Sequence, residues 1–396
     1  MKYFKTITNA LRGGLLLLTM TCQNAVLAQD YDLPPMDSVE ISLLTCQPHD
    51  EIYSLYGHTA IRYHELIAGG IDAAFNYGVF NYDAPLFGLR FVFGLTDYEL
   101  GAYPTPLFQK EYRHFGSMVT EQVLNLTNDE KLKLRMALVD NLRPNNKIYR
   151  YNYFYSNCTT KARDIIERCI NGKVQYTGRE DYTPTYRDMV HHMTRNNPWS
   201  RFGNDLLLGI QADAKTDQRQ QEFLPDNLLY DFDHAQIYAN GQYRPLVKER
   251  RIIVPAGVQM IQSSFPLTPQ QCGIILFIVG LVLCVVQWFM RRAFVVWEAL
   301  LMLVSGIAGI MLFLMLFSQH PTVRINLQIL FLNPIHLVYL WPVIKGRQTR
   351  YWMICGVMGV LFLIGALFQT YAEGIISVAL CLLYQTILHL FRLKTK

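Results

Sequence analysis

Cys158 stands directly behind Asn157 in "YNYFYSNCTTKARDIIERCING" (residues 151–172), and His58 lies in "EIYSLYGHTAIRYHE" (residues 51–65). A cysteine and a histidine are the minimum for thiol catalysis, in which the imidazole takes a proton and the thiolate attacks. The residues around Cys158 predict a helix. Asn157 is a good N-cap, Ala162, Ile165, Ile166, Cys169 and Ile170 recur on one face, and Asn171-Gly172 supplies a stop. Cys158 then takes the first helical position, where unpaired backbone N–H groups and the positive end of the helix dipole favour a thiolate and can hold an oxyanion. Cys169, on the apolar face, reads as packing. The bland alternative for Cys158 is a small buried hydrophobe.

His58 follows Gly57, which permits a tight backbone approach, and Thr59 to Tyr63 read as the start of a strand. A loop-to-strand junction is a common place for a site residue; the plainer reading is a hydrogen-bonded histidine at a strand end. His191 and His192 are adjacent, with no Glu or Cys at metal-ligand spacing, so they read as surface residues and not as zinc ligands. The expected chemistry needs no metal and no organic cofactor.

The elements that carry this pair belong to an exported chain. Lys2, Lys5 and Arg12, a short apolar run and Val26-Leu27-Ala28 make a secretory signal peptide over 1–28, with cleavage expected after Ala28; Thr21 makes Cys22 a poor lipoprotein signal. From about residue 272 five apolar segments follow, 272–290, 294–317, 325–344, 351–370 and 374–391, each near the ~20 residues of a spanning helix. Arg291 and Arg292, then Lys345, Arg347 and Arg350, then Arg392, Lys394 and Lys396 mark the cytoplasmic ends, while the other loops carry only Arg324 and Glu373. An odd number of spans puts residues 29–257 in the periplasm and the C-terminus in the cytoplasm. The net charge of +5 sits largely at these helix ends, so it argues for topology and against nucleic-acid binding.

Residues 29–257 suffice for one soluble domain, and 258–271, with "SSFPLTPQQ", read as the linker into the membrane domain at 272–396. The exported part keeps Cys46, Cys158 and Cys169, an odd number, so at least one thiol is free. Cys158 and Cys169 lie about 16 Å apart along a helix, too far to bridge. Cys46 with Cys169 remains open.

"YGHTAIR", "FNYGVF" and "FYSNCTTKARDII", in that order, with "FLPDNLLY" at 223–230, resemble the Lnb-type lipoprotein N-acyltransferases of Bacteroidota. The resemblance runs along most of the chain. It implies an α+β architecture, a permuted papain-like periplasmic domain similar to the NlpC-type and lecithin:retinol acyltransferase families, followed by an all-α five-helix transmembrane domain. It places His58 and Cys158 on the catalytic pair. The third catalytic residue is expected to be Asn76 in "AAFNYGVFNYD", with Asp72 and His64 as runners-up and a plain strand-end hydrogen bonder as the alternative. Arg62 is a candidate for an anionic lipid group or an exposed strand charge.

Residues 75–112 carry eleven aromatic rings, which fill a core or line an acyl groove. Asn157, Asn333 and His336 complete the candidate substrate contacts. The last two fall at membrane depth in "NPIHLVYLWP", where a polar group serves either a substrate or an interhelical bond. The expected activity is an acyltransferase at the outer face of the inner membrane. It moves an acyl chain from a phospholipid through a Cys158 thioester to the amine that the resemblance implies, that of a diacylated lipoprotein; its partners are these two lipids and the bilayer. A membrane-tethered cysteine peptidase or amidase acting on cell-wall peptides would need only one span, and a non-enzymatic scaffold would need neither His58 nor Cys158.

Overall fold

The computed structural model describes residues 33–49, 54–81, 84–179, 182–259, 265–347, 350–391 and 393. The expected signal peptide, its cleavage after Ala28, Cys22, part of the linker, and Arg392, Lys394 and Lys396 lie outside the described residues. The chain forms two compact units. Residues up to Phe87, Thr96–Tyr182 and Asp217–Gln262 make one; Gly88–Leu95, Thr183–Thr216 and the chain from Ser263 make the other.

The first unit is α+β. Its strands are β1 (Val39–Cys46), β2 (His58–Glu65), β3 (Asp72–Val79), β4 (Asp97–Pro104), β5 (Val119–Leu124), β6 (Ile148–Arg150), β7 (Lys173–Gln175), β8 (Gln236–Ala239), β9 (Gln242–Pro245) and β10 (Val247–Val254). Seven of them form one sheet in the order β10-β5-β1-β2-β3-β4-β6, every neighbouring pair antiparallel. β7, β8 and β9 form a small second sheet.

Both faces of the large sheet are covered, which is why β1, "VEISLLTC", is buried almost throughout instead of alternating. On one face Val39, Ile41, Leu43, Ile61, Tyr63 and Phe75 meet Leu134 and Leu138 of helix Asn128–Asn141, Ala162, Ile165 and Ile166 of helix Cys158–Cys169, and Leu228 and Phe232 of helix Pro225–His234. On the other face Leu44, Cys46, Ala60, Ala74 and Val119 pack with Phe108 of helix Thr105–His114. Each large apolar side chain so buried contributes about 1.5–3 kcal/mol. The alternation also settles the disulfide question: Cys46 belongs to the second layer and Cys169 to the first, and both are free thiols.

The second unit holds the apolar helices. Pro269–Met290, Val295–Met315 and the stretch Pro321–Ile344 are long and apolar enough to cross a membrane. The last two of the five expected spans are helical over less than their expected bounds, 351–370 and 374–391. Tyr351–Gly365 and Ile375–Phe391 are 15 and 17 residues long, and 15 residues rise about 22 Å, short of a ~30 Å hydrocarbon core. The third span is not one helix either. It begins as Pro321–Arg324, tightens to a 3₁₀ turn at Leu327–Leu330 and resumes at Ile335–Ile344, because Pro334 cannot continue the ladder and Asn333 caps the break, its Oδ1 accepting from Ile335 N at 3.0 Å.

Residues 183–216 are built into this unit by a buried polar cluster. Arg187 is fully buried; its Nη1 donates to Asp205 at 2.7 Å and its Nε to Asp213 at 2.8 Å. Gln328 donates to the Asp205 carbonyl at 2.7 Å, and Asn326 to that of Leu206 at 2.8 Å. His191, expected on the surface, instead bonds the buried Asp205 carboxylate at 2.8 Å.

Candidate active site

Helix Cys158–Cys169 begins where the sequence predicts, and Asn157 is the reason. Its Oδ1 accepts from Thr159 N at 3.0 Å and Thr160 N at 2.9 Å, while Thr160 Oγ1 accepts from Asn157 N at 2.9 Å. Such a cap contributes about 1 kcal/mol. The Asn157 amide donates in turn to the Tyr153 and Phe223 carbonyls, at 3.0 and 2.9 Å. Asn157 is therefore a buried structural cap and not a substrate contact, which corrects that expectation. The cap also takes the Thr159 and Thr160 amides, so among the described residues Cys158's own N–H is the first-turn donor left open to an oxyanion.

β2 brings His58 to this helix mouth. Gly57 turns the chain into the strand with φ of 75°, and a Cβ there would lie 2.7 Å from the Cys46 carbonyl oxygen. The His58 imidazole and the Cys158 thiol are close enough that each shifts the ionisation of the other. Burial alone would raise the thiol pKa; the charge of His58 and its hydrogen bond outweigh that, the Thr59 backbone and Thr159 hydroxyl add to it, and the thiol is lowered to about 7. Burial likewise works against the imidazolium, yet the Cys158 sulfur, with Asn76 and Glu111, carries its pKa upward. The two shifts describe one thing, a pair biased toward thiolate and imidazolium.

Asn76, on β3, joins them. Its Oδ1 accepts from Gly78 N at 2.7 Å, and it helps to raise the pKa of His58, whose buried Nε2 has no hydrogen-bond partner among the described residues. Gly78 was not visible as a site residue. A Cβ at Gly78 would stand 2.9 Å from His58 Cε1 and 3.0 Å from Asn76 Oδ1, so only glycine leaves the ring its place.

Arg62 is corrected on both of its expected readings. It is buried, its Nε and Nη2 grip Asp72 at 2.7 and 2.8 Å, and its Nη1 reaches Glu121 at 2.9 Å. Paired with two carboxylates, it neither binds a lipid phosphate nor lies exposed, and the same bonds occupy Asp72, a runner-up for the third catalytic place. Asn333 and His336 belong to the second unit. His336 is buried, its Nδ1 3.0 Å from the Tyr351 hydroxyl and its Nε2 2.7 Å from the Phe331 carbonyl, so its two ring nitrogens bond other protein groups. Asn333 donates to Ile329 O at 3.0 Å. His336 thus joins its helix to Tyr351 of the next, whereas the bonds of Asn333 stay within its own segment.

The aromatic-rich stretch divides. Phe75 and Tyr77 are core, whereas Phe80, Tyr98 and Tyr151 stack at 4.8 and 3.9 Å between centroids, and Tyr149, Tyr151 and Tyr153 all feel the charge of Cys158. Burial drives the pKa of each of these three tyrosines well up, so all remain neutral phenols. Their alternation in "IYRYNYFY" was the available signal.

A cysteine at a helix mouth with its histidine on an antiparallel strand earlier in the chain is the arrangement the sequence resemblance implied. Two family models match the chain: that of the Lnb N-terminal periplasmic domain over residues 29–193, and that of the Lnb transmembrane domain over residues 260–396. The chain belongs to the Lnb family. Comparison with curated proteins and with solved structures finds no match. As an Lnb-family chain it is a membrane protein with a periplasmic N-terminal domain and a helical transmembrane domain, and its family points to lipoprotein processing.

Proposed function

We propose that this protein is a thiol acyltransferase that completes lipoproteins at the periplasmic face of the inner membrane. The observation that carries the reading is the pairing of His58 with Cys158 at a helix mouth, with the thiol lowered to about 7. His58 takes the thiol proton, and the thiolate attacks the ester carbonyl of a phospholipid. The Cys158 N–H and the helix dipole stabilise the tetrahedral oxyanion. Collapse breaks the ester C–O bond; the lysophospholipid alkoxide leaves with the proton from His58, and the acyl chain remains as a thioester. The α-amine of a diacylated lipoprotein then attacks, His58 accepts its proton, and the thiolate departs as the amide forms. Tyr98, Tyr149, Tyr151 and Tyr153 give the acyl chain an aromatic surround.

The test is capture of the intermediate. Purified protein given phospholipid alone is expected to gain one acyl chain on Cys158, released by neutral hydroxylamine, and a diacylated lipopeptide is expected to discharge it onto its amino terminus. An N-acetylated lipopeptide is not. Release only to water identifies a lipase, and peptide cleavage without an adduct identifies a peptidase; either outcome overturns the proposal.

A further inference from the structure

Residues 88–95 lie in the sequence between β3 and β4 yet belong to the second unit. They contain most of the one-and-a-half-turn helix Phe87–Val92, whose Leu89 is 44% exposed and Phe91 38% exposed; Leu86, just before it, is 72% exposed. Burial of an apolar core does not explain these side chains. Their attachment does. Gln319 N donates to Phe93 O at 2.9 Å, the Phe91 and His320 rings lie 6.1 Å apart, and the Gly94 backbone approaches Gln319 and His320 so closely that a Cβ there would be 3.2 Å from each. Three residues separate the Gln319-His320 pair from the end of the apolar helix Val295–Met315, whose outward-facing Phe313 and, just beyond it, 65% exposed Phe317 stack edge to face at 5.6 Å.

We propose that the Gly88–Val92 turn is an insertion element that sinks Leu89 and Phe91 into the periplasmic leaflet of the bilayer, its partner being the glycerophospholipid surface itself. The occupant follows from continuity: the turn is fastened through Phe91, Phe93 and Gly94 just past the end of a helix long and apolar enough to cross a membrane, whose apolar side chains are exposed like Leu89. Charge agrees. From residue 84 to 96 the only ionisable side chain is Arg90, a cation of the sign that phosphate-bearing headgroups attract. The segment falls within the match to the periplasmic domain, which fixes the leaflet. The inference does not depend on the acyl-transfer chemistry.

The experiment uses the full chain in nanodiscs of phosphatidylethanolamine and phosphatidylglycerol doped with a phospholipid bearing a diazirine on its acyl chain. After illumination and digestion, lipid adducts are expected on residues 86–92 as well as on 269–290. Adducts on 269–290 with none on 86–92 overturn the proposal. Leu86→Glu with Leu89→Glu, which spares Phe91 and its contact with His320, is expected to reduce labelling of the turn at least tenfold while labelling of 269–290 stays at the level of the unaltered chain. Unchanged labelling of the turn in that variant would show proximity without insertion and would likewise overturn it.

Discussion

The Thr59 and Thr159 hydroxyl oxygens lie 3.1 Å apart although 100 positions separate them, and each belongs to the residue immediately after a member of the proposed catalytic pair. Both residues are fully buried, and Thr159 Oγ1 is also 3.8 Å from the Cys158 sulfur. The bond ties the start of β2 to the mouth of the cysteine helix. Thr59→Val leaves the buried Thr159 hydroxyl with the Cys158 sulfur as its remaining partner, at a cost of about 1 kcal/mol. The expected result is a lower melting temperature in detergent and roughly tenfold slower acyl transfer, with Thr59→Ser close to the parent in both. Full activity in Thr59→Val would separate the clasp from the chemistry.

Alkylation of Cys158 reads its ionisation directly, since only the thiolate reacts. With the thiol lowered to about 7, the iodoacetamide rate at this residue is expected to reach half its plateau near pH 7 and to fall below it as the sulfur is protonated. Removing the imidazole leaves burial, which raises the thiol, without its main counterweight, so His58→Ala should move the midpoint upward, past that of an ordinary cysteine. Site-resolved mass spectrometry follows the residue, because burial also raises the Cys46 and Cys169 thiols and slows them. A midpoint that stays near pH 7 in His58→Ala would remove His58 as the partner.

Gly78→Ala puts a methyl group where the His58 ring sits, 2.9 Å from Cε1. The chain is expected to fold and accumulate, since a single methyl is the only addition, while turnover drops on the order of a hundredfold through displacement of the base. Acyl-transfer rate against expression level checks this, and near-normal turnover would mean the ring need not stay where it is.

Periplasmic reporters check the topology. Fused after residue 258, alkaline phosphatase is expected to be active; fused after Lys396, it is expected to be silent, with a cytoplasmic reporter giving the reverse. An active phosphatase at Lys396 would refute an odd number of crossings, and one of the two short helices, Tyr351–Gly365 or Ile375–Phe391, would then be the segment that fails to cross.

What the sequence discloses is what neighbouring residues decide. Asn157, Cys158 and the Asn171-Gly172 stop are readable because a cap and a helix end are settled within a few positions. Gly78 is not, because its constraint comes from a ring on another strand. Arg62 is misread for the same reason: Glu121, which holds it, is 59 positions away. Hydropathy finds the third apolar segment but is blind to whether its backbone is continuous, although Asn333-Pro334 carried that information. Glu298, inside the second span, passes unremarked in a hydropathy reading, and its partner His389, 2.8 Å away, comes from the last helix.

Residues 88–95 and 183–216 join a unit whose remainder starts only at Ser263. A chain secreted amino terminus first delivers both to the periplasm well before that remainder has been synthesised. The Asp205 and Leu206 carbonyls, for example, acquire Gln328 and Asn326 only after more than a hundred further residues, roughly ten seconds of translation. For that interval the two segments are orphans, open to periplasmic chaperones and proteases. The final packing of residues 88–95 and 183–216 therefore waits on chain beyond Ser263, Asn326 and Gln328 included.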